Sequence, residues 1–338
     1  MRCVTLKGKR KFEIKEIDEP KSDHDSVLID VIKCGICGFD IHYWDLGGPV
    51  GLIMGHEYVG RVIDNGSRED IKVGDRVTAL PISPCMKCAA CQSGNIQYCT
   101  HTWDEATGLS LTYPGALAPK TRIRPDMVIK VPENVTDNEA AMTEPVAVGL
   151  HAVHLADIKV GDRVLVIGSG MIGMICAMFA KMEGATYVAV SEKNIKRGRK
   201  AVSLNVSDEW FDANHPDCIK MLESKQFDIV LDCSGNSVAV STAIQVVKPG
   251  GTVILVGVSL NTITIPSIQA VMKELTLKGA ISYTRKEFET CLSLMDSKQI
   301  NVSKFVSEIV GLDDVQSSYE RLTSGTDDAI KILVDPNK

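Results

Sequence analysis

Residues Arg163 to Gly173 read RVLVIGSGMIG, a short apolar run that ends in Gly-x-Gly-x-x-Gly and passes into the apolar stretch Met171 to Glu183. No other stretch restricts the fold as much. A buried strand must turn sharply into a helix here: Gly168 permits the tight turn, Gly170 lets backbone approach a pyrophosphate, and Gly173 lets the helix pack close to the strand. With Ser169, Met171 and Ile172 between them, these glycines form a helix N-terminus whose amides face phosphates. The alternation continues beyond it. Tyr187 to Val190, Asp228 to Leu231 and Thr252 to Val256 read as strands, and Lys196 to Leu204 and Ser237 to Val247 as helices. Strands separated by helices predict an α/β unit with a doubly wound parallel sheet. The second strand leads to Glu192, 24 residues after Gly168. An acid there takes the ribose hydroxyls of NAD and repels the extra phosphate of NADP; a solvated loop-end glutamate is the alternative. Lys193, Lys196, Arg197 and Arg199 follow, either as a solvated helix face or as cations that soften repulsion of a 2′-phosphate.

The first ~145 residues have a different texture. Short β-like runs (Ser26 to Ile32, Gly60 to Ile63, Arg76 to Leu80, Met127 to Val131) are broken by Gly, Pro, Asn and Asp. Two textures in 338 residues imply two domains, and the mixed elements after Tyr283 are expected to pack back onto the first. Net charge is −6, from 37 basic and 43 acidic residues, without basic blocks. That balance argues against nucleic acid or an anionic membrane as the partner. No apolar run approaches the roughly 20 residues of a membrane span, and no export signal opens the chain, so a cytoplasmic, reducing setting is expected.

In that setting eleven cysteines do not read as a disulfide scaffold. Four of them form Cys85-x2-Cys88-x2-Cys91-x7-Cys99. Four thiolates close a zinc tetrahedron and leave no position for substrate, so such a site is structural; an iron–sulfur cluster or four free thiols are the alternatives. A dispersed set is Cys37-Gly38-Phe39-Asp40-x-His42, Gly55-His56-Glu57 and Glu144-Pro145. A thiolate, an imidazole and a carboxylate suit a zinc site with an open position, whereas each taken alone is an ordinary core or surface residue. Cys3, Cys34, Cys176, Cys218, Cys233 and Cys291 are scattered and read as buried reduced thiols.

Taken in order, Cys-Gly-x-Asp-x-His-Tyr-Trp, Gly-His-Glu, the four-cysteine lobe, Glu-Pro and GxGxxG resemble the zinc-dependent medium-chain alcohol dehydrogenases, most closely their sorbitol (polyol) dehydrogenase branch. The resemblance covers essentially the whole chain. It implies a GroES-like, mostly β catalytic domain over 1–146 with a structural zinc lobe at about 84–100, a Rossmann domain over 147–283, and a C-terminal segment, 284–338, that completes the catalytic domain. It implies an active site in the cleft, with Cys37 and His56 on a catalytic zinc, Glu57 or Glu144 completing the set directly or through water, and Asp40 orienting His56. Ser234, Gly235 and the segment Val256 to Val258 match strand ends that line the cofactor. Two positions depart from the family. Phe39 stands where a Ser or Thr hydroxyl relays the substrate proton toward His42, and Ser282 stands where polyol dehydrogenases carry an Arg beside Tyr283, with Arg285 nearby.

The expected activity is NAD-linked, reversible oxidation of a secondary alcohol, of polyol or polyol-like type, to a ketone. About two zinc ions per chain and a homo-dimer or homo-tetramer are expected with it. Zinc-independent reduction on the same scaffold and a non-catalytic nucleotide-sensing protein are the rivals; retention of Cys37, His56 and both acids argues against the first, and metal content separates the second, which needs only the four-cysteine zinc.

Overall fold

The computed structural model describes residues 1–21 and 23–338 and divides into two units, 1–147 with 283–338, and 148–282. The first unit opens with β1 (Arg2–Gly8) and β2 (Lys11–Glu16), which pair antiparallel. Next come β3 (Val27–Gly35), α1 (Gly38–Leu46), β4 (Glu57–Asp64), β5 (Arg76–Ala79), α2 (Ala89–Gln92), β6 (Lys120–Ile123), β7 (Val128–Lys130), α3 (Asp137–Ala141) and α4 (Thr143–Ala156), which belongs to the second unit from Val148 on. The second unit contains β8 (Arg163–Ile167), α5 (Met171–Met182), β9 (Tyr187–Glu192), α6 (Ile195–Ser203), β10 (Glu209–Asp212), α7 (Cys218–Glu223), β11 (Phe227–Asp232), α8 (Ser237–Val246), β12 (Val247–Leu255), α9 (Ser267–Met272) and β13 (Thr276–Gly279). Back in the first unit lie α10 (Arg285–Asp296), β14 (Val306–Val310), α11 (Val315–Thr323) and β15 (Lys331–Val334).

The main sheet of the first unit runs β14-β15-β3-β4-β5-β7, with β6 also on β3. Val27, Ile29 and Val31 alternate into its core with Tyr58, Val62, Val77 and the C-terminal Ile332 and Val334. Antiparallel register sets Gly35 opposite Glu57 on one side and opposite Leu333 on the other. One end of the sheet therefore gathers three chain segments that are far apart in sequence.

The second unit has strand order β10-β9-β8-β11-β12-β13, all parallel. Numbered within the unit this is 3-2-1-4-5-6, the doubly wound arrangement, and the order reverses between β8 and β11. Leu165, Ala189, Val230 and Val253 supply its core strands. Gly168 adopts φ +93°, and a β-carbon at Gly173 would fall on the Gly168 carbonyl oxygen, so the turn and the close helix contact both require glycine.

The expected strands and helices are present with ends displaced by a few residues, but several elements have no counterpart in the sequence reading. Helix α1 lacks an apolar stripe; it forms because Cys37 accepts from the Phe39 N–H while Asp40 accepts from the Cys37 N–H, and Gly47 ends it in the left-handed region. Strand β10 is only EWFD at a sheet edge, too short and polar to announce itself. Strand β12 starts at Val247, ahead of the Pro-Gly-Gly that reads as a break. All eleven cysteines are free, and of the six scattered ones Cys233 alone is partly exposed.

Candidate functional site

Register and capping place the dispersed residues of the first unit. Cys37 lies two residues beyond Gly35 at the N-terminus of α1, and His56 and Glu57 lie where β4 begins opposite Gly35. One ligand atom from each of Cys37, His56 and Glu57 lies within 4.8 Å of the other two. Glu144, at the start of α4, is outside that triangle but close enough for its carboxyl to interact with His56 and Glu57. A β-carbon at Gly35 would strike Glu57 Oε2, so the carboxylate occupies space that only glycine leaves.

Asp40 is fully buried, and its Oδ1 lies 3.2 Å from His56 Nδ1. Neither atom has another partner among the described residues. This contact directs Nδ1–H to the carboxylate and leaves Nε2 to offer its lone pair, the usual support of a metal-binding imidazole. Behind Asp40, its Oδ2 accepts from the Cys37 N–H at 3.3 Å and from the Tyr319 hydroxyl at 3.4 Å.

The electrostatics of this cluster suit a cation. Burial pushes the Cys37 thiol up, with His56 only partly opposing it. Burial pushes His56 down, but Asp40 and Cys37 outweigh it and hold the imidazole well above its ordinary range. Burial, with help from Glu57, raises the Glu144 carboxyl to about 7 against the opposing pull of His56, Tyr283 and Lys331. Buried groups that are anionic when ionised repel one another and call for positive charge, which a divalent ion bound by one thiolate, one imidazole and one carboxylate supplies. The donor set fits zinc with a position left open.

Phe39, His42 and Tyr43 are partly exposed along α1. Phe39 stands edge-on to His42 at 5.8 Å and to Tyr43 at 5.6 Å between ring centroids. Tyr283, fully buried, brings its hydroxyl against Glu144. Arg285 is committed elsewhere, to Glu289 and the Asp126 carbonyl.

Two residues of this cluster escape a reading of the sequence. Lys331 is buried and donates to Glu57 Oε2 and, at 2.9 Å, to the Ile36 carbonyl. Tyr319 supports Asp40. Neither sits in a motif. A lysine in the run KILV is the one faint signal, because a charge at the head of an apolar strand needs a partner.

The lobe cysteines form the second cluster. Cys85, Cys88, Cys91 and Cys99 bring their sulfurs within 4.8 Å of one another around the short helix α2. Backbone N–H groups of Lys87 and Cys88 lower the Cys85 thiol to about 6, and those of Cys85 and His101 lower Cys99, while burial raises Cys91 to about 12. Amide donors aimed at sulfur stabilise the thiolate form that a metal requires.

In the second unit the glycine turn joins β8 to α5, with the Gly168 N–H donating to the Ser191 carbonyl at 2.8 Å. Gly170 caps α5 without a side chain, and Met171, Ile172 and Gly173 form its first turn. Glu192 ends β9; its Oε2 accepts from Ser169 N and Oγ at 2.8 and 3.1 Å, and its Oε1 from Asn194 N at 2.8 Å. The carboxylate is thus pinned to the glycine turn, its Oε2 accepting twice and its Oε1 once. Lys193, Lys196 and Arg199 are exposed and Arg197 is partly buried on α6. At the end of β11, Asp232 accepts from Ser234 N and Oγ and from Gly235 N. A β-carbon at Gly235 would collide with Gly257 and Val258, so this segment and Val256 to Val258 abut beside the reversal of strand order. Such a crevice is where open α/β sheets take dinucleotides.

Residues 23–133 match the alcohol dehydrogenase GroES-like domain and residues 172–297 the zinc-binding dehydrogenase domain. The D-xylulose reductase A of Aspergillus oryzae is 32% identical over 343 residues, covering 96% of this chain and 93% of its own. The 2R,3R-butanediol dehydrogenase from Bacillus subtilis superposes with TM-score 0.88 at 28% identity over 99% of each chain. A zinc-binding dehydrogenase from Sinorhizobium meliloti, bound to NADP, superposes with TM-score 0.90 at 26% identity over 99% of each. No helix among the described residues is long and apolar enough to cross a membrane.

The two clusters differ in closure, and that difference is measurable. Metal analysis is expected to find about two zinc ions per chain, and a mild chelator to remove one of them, with activity, before the protein unfolds. The four-cysteine ion should stay until the lobe opens, and Cys88→Ser should destabilise the protein where Cys37→Ser chiefly abolishes turnover. Full turnover with a single ion per chain would contradict this.

Proposed function

The chain belongs to the zinc-dependent medium-chain alcohol dehydrogenases, and from that premise we propose that it reversibly oxidises a secondary alcohol of a polyol or polyol-like substrate to a ketone, with NAD preferred over NADP. The convergence of Cys37, His56 and Glu57 within 4.8 Å, backed by Asp40, supports this reading most strongly. Relatives whose names state reduction of D-xylulose, a ketose, and a structural neighbour acting on a butanediol point to the same substrate class. Cys37, His56 and Glu57 would hold the catalytic zinc, and Cys85, Cys88, Cys91 and Cys99 a structural one. When bound, zinc supplies a Lewis acid that acidifies the substrate hydroxyl, and the nicotinamide supplies the hydride acceptor. Asp40 keeps His56 in the tautomer that binds metal, and Phe39 gives the substrate an apolar wall. The turn Gly168 to Gly173 would receive the pyrophosphate, Glu192 the ribose hydroxyls, and Arg197, Ser234, Gly235, Val256 and Val258 the rest of the nucleotide. Eleven free thiols suit a cytoplasmic setting.

Phe39 bears on the fate of the proton. A benzyl side chain neither accepts nor donates, so no hydroxyl relay to His42 passes through this position. We assign that role to Glu57 or Glu144, the carboxyls at the cluster, by way of water. The second unit also leaves an edge for association: β13 ends its sheet, and Val258, Leu260, Ile268, Val271, Met272 and Ile281 are exposed around it. We assign this edge to a second copy of the chain, which would pair β13 with its own counterpart and cover the apolar side chains.

Three measurements test these assignments. An NAD-linked activity screen over polyols, diols and sugar phosphates should find turnover that is lost when the labile zinc is removed. In the same assay Glu192→Ala should weaken NAD and narrow the preference over NADP; equal use of both nucleotides by the wild type would refute the role of Glu192. With zinc content verified in each variant, His42→Ala should leave the pH profile of turnover nearly unchanged, while Glu144→Gln or Glu57→Gln lowers turnover. A drop of about 10²-fold in His42→Ala, the scale of a lost general acid–base group, would restore the histidine relay. Light scattering should give a mass of at least two chains, reduced by Val271→Asp with Met272→Asp; a monomeric wild type would exclude the edge as an interface.

A further inference from the structure

Beside the Cys37, His56 and Glu57 triangle lies a buried cation for which the reaction has no use. Lys331 opens β15, 274 residues from Glu57, and its side chain is 2% exposed against 1% for that of Glu57. The antiparallel register of β15 on β3 brings it there. Leu333 stands opposite Gly35, Ile36 donates to the Ile332 carbonyl, and Lys331 therefore falls level with Cys37. Its ammonium group spends two of three protons on Glu57 Oε2 and the Ile36 carbonyl. Burial disfavours the lysine charge, and Glu57 and Cys37 outweigh it.

A buried ion pair is costly to form and more costly to break from one side, because the survivor is left charged and unpaired. Here the partner is itself a candidate metal ligand. We propose that Lys331 is a positioning residue that sets how tightly the catalytic metal is held: it balances Glu57 while the site has no metal, and it repels the metal once bound. This rests on the reading of Cys37, His56 and Glu57 as that metal's ligands. The place of Glu57 does not itself depend on Lys331, because β4 pairing and the space above Gly35 already define it. What Lys331 adds is charge. Without it the buried Asp40 and Glu57 and the half-buried Cys37 and Glu144 form a group of acids with only the His56 imidazole to offset them. Such a group is less stable empty and takes a dication more avidly. The lysine thus trades metal affinity for a site that survives metal loss.

The test uses the full-length protein carrying either one zinc per chain, in the four-cysteine site, or two. Wild type, Lys331→Met, Lys331→Arg and the pair Glu57→Gln/Lys331→Met are compared by competition with a chromogenic chelator at fixed pH and by thermal unfolding of both forms. Lys331→Met should hold the labile zinc at least about tenfold more tightly, as expected for removing a unit charge a few Å from a dication. Its one-zinc form should melt earlier than wild type while its two-zinc form melts close to it. Lys331→Arg should return both readings toward wild type. The double variant, with both charges gone, should recover the melting temperature of the one-zinc form, which keeps the test open if Lys331→Met alone cannot be obtained without metal. Unchanged or weaker zinc binding in Lys331→Met, equal loss of stability in both loaded forms, or a double variant melting as early as the single one would each overturn the proposal. A wild type that takes up no second zinc would instead overturn the metal-site reading beneath it.

Discussion

The register that sets Gly35 between Glu57 and Leu333 governs the first unit. Strand pairing has a period of two, so a slip of one residue would turn Glu57 away from Cys37 and carry Lys331 out of reach of both. Hydrophobic burial enforces the register, since Val31, Cys34, Val62, Ile332 and Val334 are all fully or nearly fully covered. The apolar core thus pays for a cluster of polar and charged groups that would not assemble by itself. Two charged side chains there are answered by others, Asp40 by His56 and Glu57 by Lys331, while the neutral Tyr283 hydroxyl stands near Glu144.

The second unit solves a different problem with backbone. Its parallel sheet reverses order between β8 and β11, and the two strand ends that flank the reversal are locked by carboxylates that accept main-chain N–H groups. Glu192 grips Ser169 and Asn194, and Asp232 grips Ser234 and Gly235. Loops held in this way are preorganised, so little conformational entropy remains to be lost when a nucleotide arrives. The same bonds make Glu192 a brace for the glycine turn.

What a reader of the sequence can see follows from how local each cause is. The turn at Gly168 to Gly173 and the four cysteines carry their geometry in short spacing, and they are legible. Cys37, His56, Glu57 and Glu144 are separated by up to 107 positions and become legible only as an ordered set that resembles a family. Lys331 and Tyr319 belong to no such set. Their importance comes from pairing and packing against residues 274 to 307 positions away, Tyr319 against Asp40 and Phe12 as much as Lys331 against Glu57. Helix α1 and strand β10 were hidden for the opposite reason: capping and sheet-edge pairing make them, with no apolar periodicity to advertise them.

That the last strand supplies Lys331 has a consequence in time. A chain emerging from the ribosome presents Cys37, His56 and Glu57 long before β15 exists, and the strand that flanks β3 can be laid down only after the entire second unit has been made. Contacts of such sequence separation close late in folding. Until they close, Cys37 and Glu57 lack the buried ammonium group that afterwards stands beside them. The charge balance at this end of the sheet is therefore complete only once β15 has paired with β3.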